Sequence, residues 1–387
     1  MFFGVNDLQA RQVAMGEKHW TIELSTDGDV LPVHFRTRET PLEAHILNGT
    51  EEIAVTFEMS GERLTIDFPH YASKIVCQAA DDGFEGSWRK LRGSNKFADV
   101  PCKVVPRDAG EKQDPTKFLG RYAVKFADSE DLAVAEFKPF GDREVIGTFL
   151  TTTGDYRYLH GQVLNEELRL SCFDGAHAFL FRAKLVSEET LEGVFSSGNW
   201  YHIDWKARLN DDAKLPDAFQ QSFISEGKLS DLSFPDLDGK LRSLADDELL
   251  GKATLIELFG SWCPNCHDEA TYLRELRTKY GNQGLKVIGL AFELTGNQDS
   301  DSKQVRRYVE RFDIDYPVLI AGISDKADAS KRFPLLDRVR SYPTTLFVDS
   351  TGEVRAVYTG FSGPATGQAH TRLKSRFEKL IQQLLSE

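Results

Sequence analysis

The stretch Ala253-Thr-Leu-Ile-Glu-Leu-Phe-Gly-Ser-Trp-Cys-Pro-Asn-Cys266 decides how the second half of the chain is read. Ala253 to Phe259 is almost wholly apolar, which predicts a strand buried on both faces of a parallel or mixed sheet, with Glu257 as its one ionisable residue. Past the cysteines, Cys266, Ala270, Leu273, Leu276 and Tyr280 recur at three- and four-residue steps. Asp268, Arg274, Glu275 and Lys279 fall elsewhere, so an amphipathic helix follows. Two cysteines spaced i and i+3 at a helix start approach closely enough for a disulfide, and the first sits where free N–H groups and the helix dipole favour a thiolate. Cys263 is then the nucleophile. Pro264 suits a first helical turn, and Cys266, one turn further in, is the resolving thiol.

Working outward, the pattern alternates strand and helix. Leu285 to Phe292 reads as a strand, Lys303 to Phe312 as a helix through Val305, Tyr308, Val309 and Phe312, and Tyr316 to Ile320 as a third strand. Thr344 to Val348 and Glu353 to Thr359 form a hairpin across Asp349-Ser-Thr-Gly352, and Leu373, Phe377, Leu380, Ile381 and Leu384 mark a terminal helix. Upstream, Asp238-Gly239 signals another hairpin, and residues 211–230 read as a linker by their polar, Pro-containing composition. Residues 1–210 read as an all-β domain, an antiparallel barrel or sandwich, with short alternating runs such as Arg63 to Phe68 and Glu167 to Cys172. A weak repeat, Leu64, Ile66 and Phe68 against Leu168, Leu170 and Cys172, and Phe84-Glu-Gly86 against Leu191-Glu-Gly193, is the mark expected of an internal duplication, although chance convergence of alternating residues gives it too. The division is therefore a β-rich domain over 1–210, a linker over 211–230 and an α/β domain over 231–387.

The chain has 387 residues, 41% apolar and 28% charged, with no 18-residue apolar run, so a spanning helix is not expected. The opening Met1-Phe-Phe-Gly-Val5 is too short and too quickly polar for a signal core. A net charge of -13 makes nucleic acid and anionic membranes poor partners. Of the five cysteines, Cys77, Cys102 and Cys172 read as small buried hydrophobes, with a structural bridge among them left open. The aromatic stretches Phe149 to Tyr158 and Asn199 to Trp205 read as packing rather than a pocket, and His160, His177 and His202 lack metal-ligand spacing.

Leu255 to Cys266 resembles the active-site strand and turn of the thioredoxin superfamily, in its TlpA-like branch, and the resemblance covers about residues 228–387. It implies a thioredoxin-like fold and thiol-disulfide exchange, of disulfide reductase type, with protein disulfides or dithiols and a thiol redox partner. No cofactor or metal beyond a redox-active Cys263–Cys266 disulfide is implied, and the setting is the bacterial periplasm or envelope, with the cytoplasm left open. By the same resemblance Glu257 handles the proton of Cys266, Trp262 is the tryptophan before the first cysteine, and Pro343 is a cis proline whose neighbour Tyr342 pairs with a substrate backbone. Glu269 coincides with a glutamate that tunes the thiols, against the plain reading of a solvated first-turn carboxylate. The sequence departs from the pattern where Pro264 follows the first cysteine and Asn265 precedes the second, where Glu257 replaces the usual aspartate, and in the longer region 285–340.

Three other readings compete. Cys263-Pro-Asn-Cys-His267 satisfies the haem-attachment pattern, but the only methionines are Met1, Met15 and Met59, and His370 is the only other histidine after the linker, so distal ligands are few and His267 reads as a modulator of the thiols. A peroxiredoxin-like peroxidase needs a Pro and a Thr where the chain has Ile256 and Phe259 or Gly260. A ligand-binding β domain on an inactive scaffold leaves the cysteines and Glu257 unexplained.

Overall fold

The computed structural model describes residues 18–38, 43–93, 96–108 and 110–387; the opening pentapeptide and Met15 lie outside these. Eight antiparallel strands form a closed meander: β1 Lys18–Thr26, β2 Asp29–Arg38, β3 Glu43–Asn48, β4 Glu51–Ser60, β5 Arg63–Phe68, β6 Ser73–Ala80, β7 Gly83–Leu91 and β8 Phe97–Pro106, with β8 pairing back onto β1. Each strand alternates in and out, and the inward set, from Trp20, Ile22 and Leu24 to Trp88 and Val104, fills the lumen.

A second meander repeats the plan: β9 Gly120–Phe126, β10 Leu132–Phe140, β11 Glu144–Thr151, the two-residue β12 Gly154–Asp155, β13 Leu159–Leu164, β14 Glu167–Phe173, β15 Ala178–Ser187, β16 Thr190–Ser197 and β17 Tyr201–Leu209. Setting β12 aside, β10 pairs with both β9 and β11, and β17 pairs back onto β9, so eight strands close again. Of the barrel and the sandwich expected for this half, the barrel is the form found, twice in tandem. The residues of the weak repeat fall on equivalent strands, β5 with β14 and β7 with β16. At both seventh strands a glycine is obligatory: a Cβ on Gly86 would lie 1.9 Å from the Val76 carbonyl oxygen, and one on Gly193 2.0 Å from that of Arg182. Gly86 faces Cys77 on one side and Cys102 on the other, and across it the two thiols approach to 3.5 Å, both buried and unbridged. The second lumen is aromatic, with Phe149 on Phe181 at 4.0 Å and Phe181 on Phe195 at 4.4 Å, so the flagged aromatics pack a core. Asp29 of the first barrel takes Arg182 of the second at 2.7 Å, and Asn48 bonds the Phe173 backbone in both directions, fixing one barrel on the other.

Residues 211–230, expected to be a linker, are laid against the C-terminal domain: Asp217 forms a two-pronged pair with Arg376 at 2.8 and 2.9 Å, Phe219 packs on Tyr358 and Phe377, and Ser222 bonds Thr359 at 2.7 Å. Composition does not announce this packing, because the segment's few apolar side chains serve a neighbouring core. Beyond it, β18 Ser233–Pro235 and β19 Leu241–Ser243 make the Asp238-Gly239 hairpin. Then come β20 Ala253–Phe259, α1 Pro264–Tyr280, β21 Leu285–Glu293, α2 Gln298–Phe312, β22 Val318–Ile323, α3 Lys326–Arg332, β23 Thr344–Asp349, β24 Val354–Thr359 and α4 Gln368–Ser386. The sheet order β22-β21-β20-β23-β24 puts β20 at the centre, buried along its whole length, parallel to β21 and antiparallel to β23. The α2 helix starts a turn earlier than expected because Asn297 caps it through Ser300 N–H while its first turn is polar and hides the period. The third strand starts after Pro317, which has no N–H for the ladder. No apolar period marked α3, whose signal is the cap Asp325 on Ala327 and Asp328 N–H. Among the described residues no helix is long and apolar enough to cross a membrane.

Candidate active site

The turn after β20 is pinned to the end of β21. Ser261 donates its N–H and its hydroxyl to Glu293 at 2.8 and 2.7 Å, and Trp262 Nε1 donates to Phe292 O at 2.8 Å. Cys263 then caps α1: its Sγ accepts the Cys266 N–H at 3.4 Å, an orphan donor of the first turn, in the positive end of the helix dipole. The same sulfur lies 3.5 Å from the Tyr342 carbonyl oxygen and keeps only a sliver of surface, the residue being 7% exposed, whereas Cys266 is wholly buried. Burial, then the neighbouring Cys263 sulfur, pushes the Cys266 thiol well above the usual range.

Two carboxyls stand behind the thiols. Glu257, opposite Thr345 in the β20–β23 register, is fully buried, and neither of its oxygens has a hydrogen-bond partner among the described residues. Burial, then Glu269 and Cys263, raises it far above the carboxylate range, which makes it a neutral acid. Glu269 is buried too, so the reading of it as a solvated carboxylate is corrected; it accepts the Thr345 hydroxyl at 2.7 Å, and burial pushes it up to about 8. Glu293, under the turn, is raised by burial to about 7. The Tyr342–Pro343 peptide is cis, and the Tyr342 ring meets Trp262 edge to face at 5.7 Å. Thus Glu257, Trp262, Cys263, Pro264, Asn265, Cys266, Glu269, Tyr342 and Pro343 gather around one turn.

His267 reaches across to the first barrel. Its Nε2 donates to Ser261 O at 2.8 Å, its Nδ1 accepts from Tyr71 OH at 2.9 Å, and its ring stacks on Tyr71 at 4.6 Å. Burial lowers the imidazole to about 3, so it is a neutral link between α1 and the first barrel.

Sequence reasoning missed the barrels' part in this site. Arg157, from the loop after β12, donates to the Pro264 carbonyl at 3.1 Å and to Asp268 at 2.7 Å, pairs with Glu51 of the first barrel at 2.6 Å and lies 3.6 Å from Asp174. One buried guanidinium therefore joins both barrels to the peptide between the cysteines. With three acids on one cation, Asp268 is raised to about 7, by burial first and then by Asp155 and Glu51, against the pull of Arg157. The tip of the same hairpin touches the turn: a Cβ on Gly154 would lie 2.2 Å from the Asn265 amide nitrogen. No spacing in the sequence announces these contacts, which, Asp174 aside, join residues more than a hundred apart. The histidines without ligand spacing have local partners, His160 on Glu144, His177 on Asp174 and His202 on Ser196. Among the described residues no group of three or more His, Cys, Asp or Glu is arranged for a metal ion.

The redoxin family model matches residues 216–371. The thioredoxin-like protein YneN of Bacillus subtilis is 30% identical over 138 residues, covering 35% of this chain and 73% of that protein. The thiol-disulfide oxidoreductase ResA of Geobacillus kaustophilus is 29% identical over 130 residues, and the chain spans just under two thirds, 66%, of its length and 34% of its own. A crystal structure of a thiol:disulfide interchange protein of the thioredoxin family from Chlorobium tepidum aligns at 23% identity and TM-score 0.30, covering 45% of this chain and 99% of that one.

Proposed function

Because the chain belongs to the thioredoxin-like family of thiol-disulfide oxidoreductases, we propose that it exchanges disulfides through Cys263 and Cys266, working as a reductase. The observation that carries this reading is the capping sulfur of Cys263, held by the Cys266 N–H at 3.4 Å, with Cys266 buried directly behind it. Cys263 as thiolate attacks a substrate disulfide and forms a mixed disulfide; Cys266 attacks that bond, releases the second substrate thiol and leaves the Cys263–Cys266 bridge. In its ionised form Glu257 is a strong base that takes the Cys266 proton as that sulfur attacks, and as the neutral acid it returns the proton when the bridge is reduced; its oxygens, which have no hydrogen-bond partner among the described residues, leave it free for this exchange. Burial does most to raise the proton affinity of Glu257, and the neighbouring Glu269 adds to it. Trp262 and Tyr342-Pro343 flank the reacting sulfur and position the partner, while Pro264 and Asn265 shape the turn. The chemistry needs no cofactor or metal. The partners are disulfide and dithiol compounds or proteins, and the setting is the oxidising bacterial envelope that the resemblance implies.

The test is chemical. Cys263→Ser abolishes exchange, and Cys266→Ser traps partners as mixed disulfides that dithiothreitol releases. Full activity in Cys263→Ser sinks the mechanism. A redox-buffer titration of the pair gives the direction: a value near that of thioredoxin, about -270 mV, fits a reductase, whereas one above about -180 mV reverses it.

A further inference from the structure

We infer that the substrate of this site is a low-molecular-weight disulfide bearing carboxylates, received in a cavity between the second barrel and α3; this rests on the exchange chemistry proposed above. Two independent arrangements lead there.

The first is the covering of one flank of Cys263 by the hairpin tip Thr151 to Asp155. Thr153 O accepts the Ser341 hydroxyl at 2.8 Å, immediately before Tyr342. A Cβ on Gly360 would lie 2.7 Å from the Thr153 carbonyl carbon, and one on Gly154 2.2 Å from Asn265. The hairpin thus touches all three loops around the nucleophile, and an incoming polypeptide that sought the Tyr342 backbone from that side meets a barrel instead.

The second is the charge of the opening that remains. A cavity of about 550 Å³, the size of a small-molecule site, is walled by Thr152 and Thr153 on the barrel side and by Lys326, Arg338 and Arg340 opposite. Arg340 is held by Asp337 in a two-pronged pair, Asp325 is engaged as the α3 cap and Asp328 pairs with Arg332. Asp131 is the one acid on the wall. Lys326 and Arg338 form no ion pair among the described residues, in a chain of net charge -13. The cavity is joined to the nucleophile through Thr153, which lines it and whose carbonyl holds Ser341, the residue before Tyr342, whose own carbonyl oxygen lies 3.5 Å from Cys263 Sγ. Two available cations on one wall of this cavity recruit carboxylates to the approach to the thiol.

The reaction balances as two protein thiols plus RS–SR giving the Cys263–Cys266 disulfide plus two RSH. The substrate S–S bond breaks, each released sulfur takes a proton, and the protein supplies both electrons.

The test measures second-order rate constants for oxidation of the reduced full-length protein by oxidised glutathione, by uncharged bis(2-hydroxyethyl) disulfide and by insulin. Oxidised glutathione is expected to react fastest, its advantage over the uncharged disulfide shrinking with added salt and dropping about tenfold in the Lys326→Gln/Arg338→Gln double variant, with Lys326→Arg restoring it. Equal rates for charged and uncharged probes, preference for insulin, or a preference untouched by the double substitution overturns the inference while leaving exchange intact. Absence of exchange with all three probes overturns the proposed function as well.

Discussion

The two barrels share an eight-strand meander and an obligatory glycine on the seventh strand, yet they meet the redox domain with different parts. The first offers the connection between β5 and β6, where Tyr71 stacks on His267 and the carbonyls of Pro69 and His70 receive Gln304 of α2. The second offers the hairpin after β11, which carries Thr153 to Ser341 before the cis proline, Gly154 to the cysteine turn and Arg157 to that turn's backbone. One contact is a stacked, neutral pair at the side of α1. The other is a buried ionic knot against the residue between the cysteines. Two meanders of one plan share a core constraint and differ in their loops, which is where positioning is cheap to change.

Arg157→Met is the sharpest way to break that asymmetry. It strands Glu51, Asp174 and Asp268 without their cation, and a loss of about 3–5 kcal/mol is expected by denaturant unfolding. Gly86→Ala and Gly193→Ala should each cost about 3 kcal/mol, since backbone oxygens stand where the methyl would go; unequal penalties would argue against structural equivalence of the seventh strands. Tyr71→Phe keeps the stack and removes one hydrogen bond to His267, so about 1 kcal/mol is expected. The smallest effect is a slope. Asp268 has a folded pKa of about 7, above the ordinary value of 3.8, so its contribution to stability is fully present below about pH 4 and is lost as pH rises through 7. Stability profiles of Asp268→Asn should be flatter than wild type across that window, and an unchanged slope would assign the dependence to other acids, Glu293 first.

The division between what the sequence discloses and what it conceals follows the range of the interactions. Ala253–Phe259 matches its expected bounds because a strand buried on both faces leaves an unbroken apolar run, and α1 shows its face because its core is local. The cysteine turn was legible for the same reason: capping, dipole and proline act within four residues. Tyr71, Thr153 and Arg157 gave no signal, since each is a single side chain or carbonyl in a loop whose partner lies far along the chain. Arg157 even sits within a stretch read as aromatic packing, and its neighbours Phe149 and Tyr156 do pack. The docking of residues 211–230 is not legible either, because polar composition reports exposure on average and not the few side chains, Asp217, Phe219 and Ser222, that dock.

The glycine between Cys77 and Cys102 also isolates them. By the strand registers the two cysteines lie two strands apart, so their Cα atoms are separated by about 9 Å, beyond the roughly 7 Å that a disulfide tolerates without backbone movement. Near as the sulfurs are, the barrel wall keeps them from joining. Under the exchange proposed above, an oxidising surrounding then addresses the Cys263–Cys266 pair, and the two thiols of the first barrel stay apart from that traffic.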